Sequence, residues 1–179
     1  LMLTGQRRNE VAGMRWSEVV EDYPLAADSK GNATETCTAL ILPGTRTKNA
    51  KPHIVPLSEP VVAILEARRL EQKAMGIKSP FVFTSTGEKP FSGFSKSKAR
   101  LDARAALEQP WRLHDLRRSA VTHMADKLRI APHVVEAIVN HISGSKGGVA
   151  GVYNRAEYLP ERRAALDAWS SDIVRHVGD

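Results

Sequence analysis

Residues 113–119 read Leu113-His114-Asp115-Leu116-Arg117-Arg118-Ser119, and the apolar Leu116, Ala120, Val121 and Met124 that run through and beyond this stretch have the period of a helix. The spacing predicts a helix from His114 to Leu128, with His114 and Arg117 one turn apart on the same face. Two more features lie far from it in the chain. Thr4-Gly5-Gln6-Arg7-Arg8-Asn9-Glu10 opens the sequence with another arginine, and Tyr153 stands near its end. Two separated arginines, a histidine and a late tyrosine point to phosphodiester chemistry carried by side chains.

Such chemistry needs a nucleophile, positive charge on the non-bridging oxygens and a proton for the leaving oxygen. Arginine suits the clamp, because its planar fork binds phosphate oxygens bidentately and stays protonated at any working pH. A tyrosine with an ordinary pKa of about 10 is a poor nucleophile until neighbouring guanidinium charge favours the phenolate and a base accepts its proton. A lysine supplies the proton to the departing alkoxide.

Outward from these motifs, a short helix is expected between Arg8 and Val19, with Val11, Ala12, Met14 and Trp16 as its apolar residues. Residues 23–34, with Pro24, Asp28, Ser29, Gly31 and Asn32, read as a loop. Thr36 to Leu42 and Lys51 to Leu57 read as an antiparallel hairpin with Lys48 near its tip. A helix follows from Ser58 or Glu59 to Gly76, with Pro60 in its first turn and Val61, Ile64, Leu65 and Leu70 on the buried face. Ser79 to Thr84 is a small buried extended segment, and Phe94 to Leu107 a helix whose Lys96, Lys98, Arg100 and Arg104 form a positive side. After Pro132 a helix carrying Val134, Val135, Ile138 and Val139 stops at Asn140-His141. Ser143 to Gly148 reads as a flexible linker, and Pro160 to Val177 as a last helix containing Leu166, Trp169 and Ile173.

The chain has 179 residues and a mass of 19.7 kDa, the size of one domain. Its net charge of +6 and pI near 9.7 favour a polyanionic partner. No apolar run approaches the roughly 20 residues of a membrane span, and no signal peptide is visible. The opening Leu1-Met2-Leu3-Thr4 reads as the edge of an excised piece of a longer protein. Cys37 is the single cysteine, which excludes an internal disulfide and fits a reducing cytoplasm. A phosphate-binding Gly-x-x-x-x-Gly-Lys-Ser/Thr loop, His-Glu-x-x-His and cysteine pairs are all missing from the sequence, so no nucleotide or metal cofactor is expected.

In ordered sequence the motifs resemble the tyrosine recombinase family, and within it the phage-type integrases. Thr4-Gly5-Gln6-Arg7-Arg8-Asn9-Glu10 looks like the family's first arginine motif, Thr-Gly-x-Arg-x-x-Glu. Thr47-Lys48-Asn49 looks like the hairpin that carries the catalytic lysine, with Arg46 and Lys51 as neighbours the sequence does not separate from it. His114-x-x-Arg117 matches the central His-x-x-Arg motif. The resemblance implies Arg7 and Arg117 as the phosphate clamp, Glu10 as support for Arg7, Lys48 as general acid, His114 as proton acceptor and His141 as a further phosphate donor. It implies Tyr153 as nucleophile, with Tyr158 a second tyrosine in reach. Asn140 stands where many members have glycine, and the glycine-rich stretch before Tyr153 is longer than in compact relatives.

What the resemblance implies for the whole is one mainly α catalytic domain over residues 1–179 with a small antiparallel sheet, its N-terminal DNA-binding region lying outside the chain. The partner is double-stranded DNA, bound as a homotetramer on two sites, with the isolated domain a monomer in the cytoplasm of a bacterium or an infected host. Strands are broken and rejoined through a 3′-phosphotyrosyl link. The competing reading is a catalytically silent DNA-binding remnant of an integrase. A metal-dependent nuclease is disfavoured because Asp115, Asp126 and Glu136 form no recognisable acidic arrangement.

Overall fold

The computed structural model describes residues 1–141 and 156–178. Their elements run α1 (Arg8–Ala12), a 3₁₀ turn (Trp16–Glu18), β1 (Val19–Ala27), β2 (Ala33–Leu42), a second 3₁₀ turn (Gly44–Arg46), β3 (His53–Pro56), α2 (Glu59–Ala74), α3 (Phe94–Ala105), α4 (Leu113–Asp126), α5 (Pro132–Ile138) and α6 (Leu159–Gly178). The mainly helical class with a small antiparallel sheet agrees with the sequence reading. The sheet has the order β1-β2-β3, with Leu40 of β2 opposite Val19 on one side and Val55 on the other.

Strand β1 corrects the sequence reading, which assigned residues 23–34 to a loop. Only the tip, held by the Asp28 carboxylate accepting N–H bonds from Lys30 and Asn32, is a turn. Pro24 is accommodated because β1 is an edge strand, and Asp22 at φ 54 marks an irregular register between Val20 and Tyr23. Helix α1 is also shorter than expected, because the chain leaves the helix at Gly13 and Met14 turns into the core. Along α2, Val61 and Leu65 are buried, whereas Ile64 and Leu70 face solvent.

One main core joins sheet and helices. Met14, Leu40, Leu42, Val55, Leu57, Val82, Met124, Ile138, Leu166 and Trp169 are almost fully buried within it. Burial of side chains this size stabilises the fold by roughly 1.5–3 kcal/mol each before the cost of ordering the chain. By contrast α3 buries no residue and is attached at its ends. Phe94 packs edge-on against Phe91, while Asp102 accepts from the Trp111 indole N–H at 2.8 Å and pairs with Lys98 at 2.7 Å. Trp111 therefore serves α3.

Candidate active site

Glycine at position 5 has φ +61, the left-handed conformation that side chains resist. The turn it makes delivers Gln6 inward and aims the Gly5 carbonyl at α4, where Arg117 Nη1 donates to it at 2.7 Å. Two residues later Arg7 is the N-cap of α1, and Glu10 in the first turn of that helix accepts both the Arg7 backbone N–H at 2.8 Å and Arg7 Nη1 at 3.0 Å. Glu10 is buried while the Arg7 side chain keeps a quarter of its surface exposed. The carboxylate thus fixes Nη1 and leaves Nη2 to reach the Asn140 carbonyl at 3.5 Å.

The end of α5 organises the same region. Carbonyls in the last turn of a helix lack internal partners, and here side chains from other elements supply them. Ile138 O accepts from Gln6 Nε2 at 2.9 Å and from His53 Nε2 at 3.0 Å, Val139 O from Arg117 Nη2, and Asn140 O from Arg7 Nη2 at 3.5 Å. Arg7 and Arg117 therefore rest on consecutive carbonyls at the negative pole of α5, an arrangement that favours cations. Asn140 takes φ +47, as expected of asparagine at a helix end, and the His141 N–H donates back to Glu136 O at 3.0 Å.

Arg7, Glu10, Lys48, His114 and Arg117 line one open cleft of about 770 Å³. Arg8, Arg46, Lys98 and Arg112 add to its basic wall, and Glu10 is the lone carboxylate among the described lining residues. Arg117 is 8 % exposed, and burial, with a further contribution from the Arg7 charge partly offset by Glu10, lowers its pKa to about 10. It remains protonated near neutrality. Two guanidinium groups held together and repelling one another form a site that an oxyanion would stabilise.

Lys48 is exposed on the β2–β3 connection and reaches this cleft; exposed Lys51 does not line it. Arg46 has a different task. It pairs with Glu18 and donates to Glu10 O at 2.7 Å, locking the hairpin root to α1. A Cβ at Gly13 would lie 2.9 Å from Arg46 Nη2, so glycine there lets the guanidinium approach. His141 is exposed at the end of α5 and is not among the residues lining the cleft. Tyr153 and the glycine-rich stretch lie outside the described residues. Tyr158 packs its ring against His133, 4.8 Å between centroids, and is not a lining residue. Among the described residues no group of three His, Cys, Asp or Glu side chains gathers as metal ligands do.

Several supports escaped sequence reading. Gln6 occupies the unspecified position of the first motif, and Asn49 looks like ordinary turn chemistry. Arg162 of α6 is 5 % exposed, donating to Ile54 O and, at 3.2 Å, to Glu157 O. Its Nη2 lies 3.5 Å from His53 Nδ1, so His53 donates through Nε2 and accepts through Nδ1. A signal existed: Leu159, Arg162, Leu166 and Trp169 follow one helical stripe, which puts an arginine on an apolar face.

Comparison with known proteins places the site in context. The family model described as "Phage integrase family" matches residues 1–158. The prophage integrase IntA of Escherichia coli (strain K12) is 31% identical over 174 residues, covering 97% of this chain and 37% of the relative. The prophage integrase IntZ of the same strain is 29% identical, covering 97% and 38%. The chain thus spans less than two fifths of the length of these two curated relatives. A crystal structure of the XerH site-specific recombinase bound to difH substrate, in a pre-cleavage complex, superposes with a TM-score of 0.58 at 20% identity, covering 79% of this chain and 37% of that one. This likeness shows a shared fold.

Proposed function

The chain belongs to the phage integrase family, and on that premise we propose that it carries the DNA breaking and rejoining site of a tyrosine-type site-specific recombinase. The observation that carries the reading is the convergence of Arg7, Lys48, His114 and Arg117, from three separate parts of the sequence, on one basic cleft.

In the proposed reaction a DNA phosphate sits against Arg7 and Arg117, whose positions are set by Glu10 and the α5 carbonyls before any substrate arrives. Preorganised donors of this kind contribute most where charge develops, and removing one costs roughly 100-fold or more. Tyr153 attacks phosphorus, with His114 accepting its proton. The bond to the 5′-oxygen breaks, Lys48 protonates that oxygen, and a 3′-phosphotyrosyl link remains. His141 joins the clamp once DNA is bound. Attack by the 5′-hydroxyl of a partner strand reverses the steps. The adduct conserves the bond energy, so no ATP enters the scheme, and Arg7, Arg117 and Lys48 supply the positive charge and the proton that a metal would otherwise provide.

The partner is double-stranded DNA, held by the cleft and the exposed Lys96, Arg100 and Arg104 of α3. Recombination joins two duplexes through a homotetramer, and the domain alone is a monomer in the cytoplasm. No helix among the described residues is long and apolar enough to cross a membrane. The test is relaxation of a supercoiled plasmid bearing the attachment region, in EDTA and without ATP. Relaxation that vanishes in Tyr153→Phe supports the recombinase; plasmid binding with no relaxation supports a silent DNA-binding remnant instead.

A further inference from the structure

Asn49 and Asn140 face each other across the gap between the β2–β3 connection and the end of α5. Asn49 Nδ2 donates to Asn140 Oδ1 at 2.6 Å, and Asn140 Nδ2 lies 3.4 Å from Asn49 Oδ1, so the two amides are paired in both directions. We propose that this pair is a positioning device that holds the Lys48 loop in register with the Arg7–Arg117 clamp. The proposal rests on the recombinase reading for the role of Lys48, but the latch itself is a property of the free protein.

Lys48 sits between two anchored neighbours. On its N-terminal side Arg46 is fixed to Glu18 and to Glu10 O, and the Thr47 hydroxyl, 2.7 Å from Lys51 O and 3.1 Å from Gly44 O, closes the loop on itself. On its C-terminal side Asn49 also accepts from the Lys51 N–H at 3.2 Å, and Ala50 takes φ 55. The internal bonds make the loop a rigid unit. Beyond the Arg46 anchor at its root, the bond that ties its tip to the body carrying Arg7 and Arg117, among the described residues, is the Asn49 amide.

Asn140 is suited to receive it. Its carbonyl lies 3.5 Å from Arg7 Nη2 while its side chain holds Asn49, so one residue touches both halves of the proposed machinery. At φ +47 glycine would adopt the backbone more cheaply. Asparagine keeps the conformation and adds the amide, and it places the next residue, His141, from the same joint. Proton transfer to a leaving oxygen demands placement within hydrogen-bond reach, and a misplacement of about 1 Å can cost on the order of 100-fold.

The step concerned is cleavage: the Tyr153 oxygen bonds to phosphorus, the bond to the 5′-oxygen breaks with its electron pair, and the Lys48 ammonium supplies that oxygen with a proton. A duplex with sulfur at the bridging 5′ position releases a thiolate, which needs no proton. The experiment compares Asn49→Ala, Asn140→Gly and the double variant in single-turnover cleavage of oxygen and sulfur duplexes, and follows hydrogen exchange at residues 45–52 in the free proteins. Each single variant is expected to slow oxygen cleavage roughly tenfold or more, with the double variant no worse than either single, sulfur cleavage unaffected, and exchange at 45–52 accelerated. Equal losses on both duplexes, additive losses, or unchanged exchange would overturn the proposal. If the unsubstituted protein cleaves neither duplex, the recombinase reading fails by itself, and the exchange result still decides whether the latch exists.

Discussion

Arg117 on α4 donates a hydrogen bond to the carbonyl of Val139, just past the end of α5 and two residues before His141. Its other terminal nitrogen donates to Gly5 O at 2.7 Å. Arg117 is thereby the joint between the two arginine-bearing motifs and the segment that leads to His141, and its geometry is set by backbone atoms that no substitution removes.

Arg117→Lys retains a charge but loses the fork that spans two carbonyls. At least one buried carbonyl is left without a donor, and stability is expected to fall by about 1–3 kcal/mol in denaturant unfolding. Single-turnover cleavage is expected to fall roughly 100-fold or more. Wild-type cleavage by the lysine variant would show that charge alone suffices.

Neighbouring cations on the hairpin should separate cleanly. Arg46→Ala leaves the buried Glu18 carboxylate unpaired and frees Glu10 O, so unfolding stability should drop by about 3 kcal/mol. Lys48→Ala touches an exposed residue, so stability should change by less than about 0.5 kcal/mol, while cleavage of an ordinary duplex falls roughly 100-fold or more. The reverse pattern in thermal unfolding and cleavage assays would exchange their roles.

Burial, together with the Arg162 charge, lowers the His53 pKa to about 3 from an ordinary value of 6.5. Below pH 6.5 the unfolded chain takes up a proton that the folded chain refuses, so the unfolded state gains as pH falls. His53 contributes full stability above pH 6.5 and loses it progressively toward pH 3. His53→Gln keeps a donor for Ile138 O and does not titrate; it should flatten that part of the stability–pH curve by a few kcal/mol, on the order expected of a shift of this size. An unchanged acid limb in urea titrations at pH 4 and pH 7 would place the acid sensitivity elsewhere.

Much of the cleft was legible because its residues lie in short motifs on regular elements. His114 and Arg117 needed only helical spacing, and Asn140 needed only the known tolerance of asparagine for left-handed backbone. What sequence does not reveal is what edge strands and carbonyl ends conceal. β1 places only Leu25 in the buried set, so it lacks the alternation that marks a half-covered strand. Ile64 and Leu70 have the composition of core and the positions of surface. The supports around Arg7 and Arg117 are long-range contacts between polar side chains and backbone, such as Gln6 and His53 on Ile138 O, and backbone acceptors have no residue type to read.

The central claim is that the cleft serves a tyrosine nucleophile, and the direct measurement is identification of the residue that becomes joined to DNA. The protein is incubated with nicked duplexes covering the attachment region in EDTA, denatured and digested, and the DNA-linked peptide is sequenced by mass spectrometry. The expected result is a 3′-phosphotyrosyl adduct on Tyr153, absent from Tyr153→Phe and lost when Arg7 or Arg117 is replaced. An adduct on Tyr158, or DNA binding with no adduct on any duplex, would contradict it.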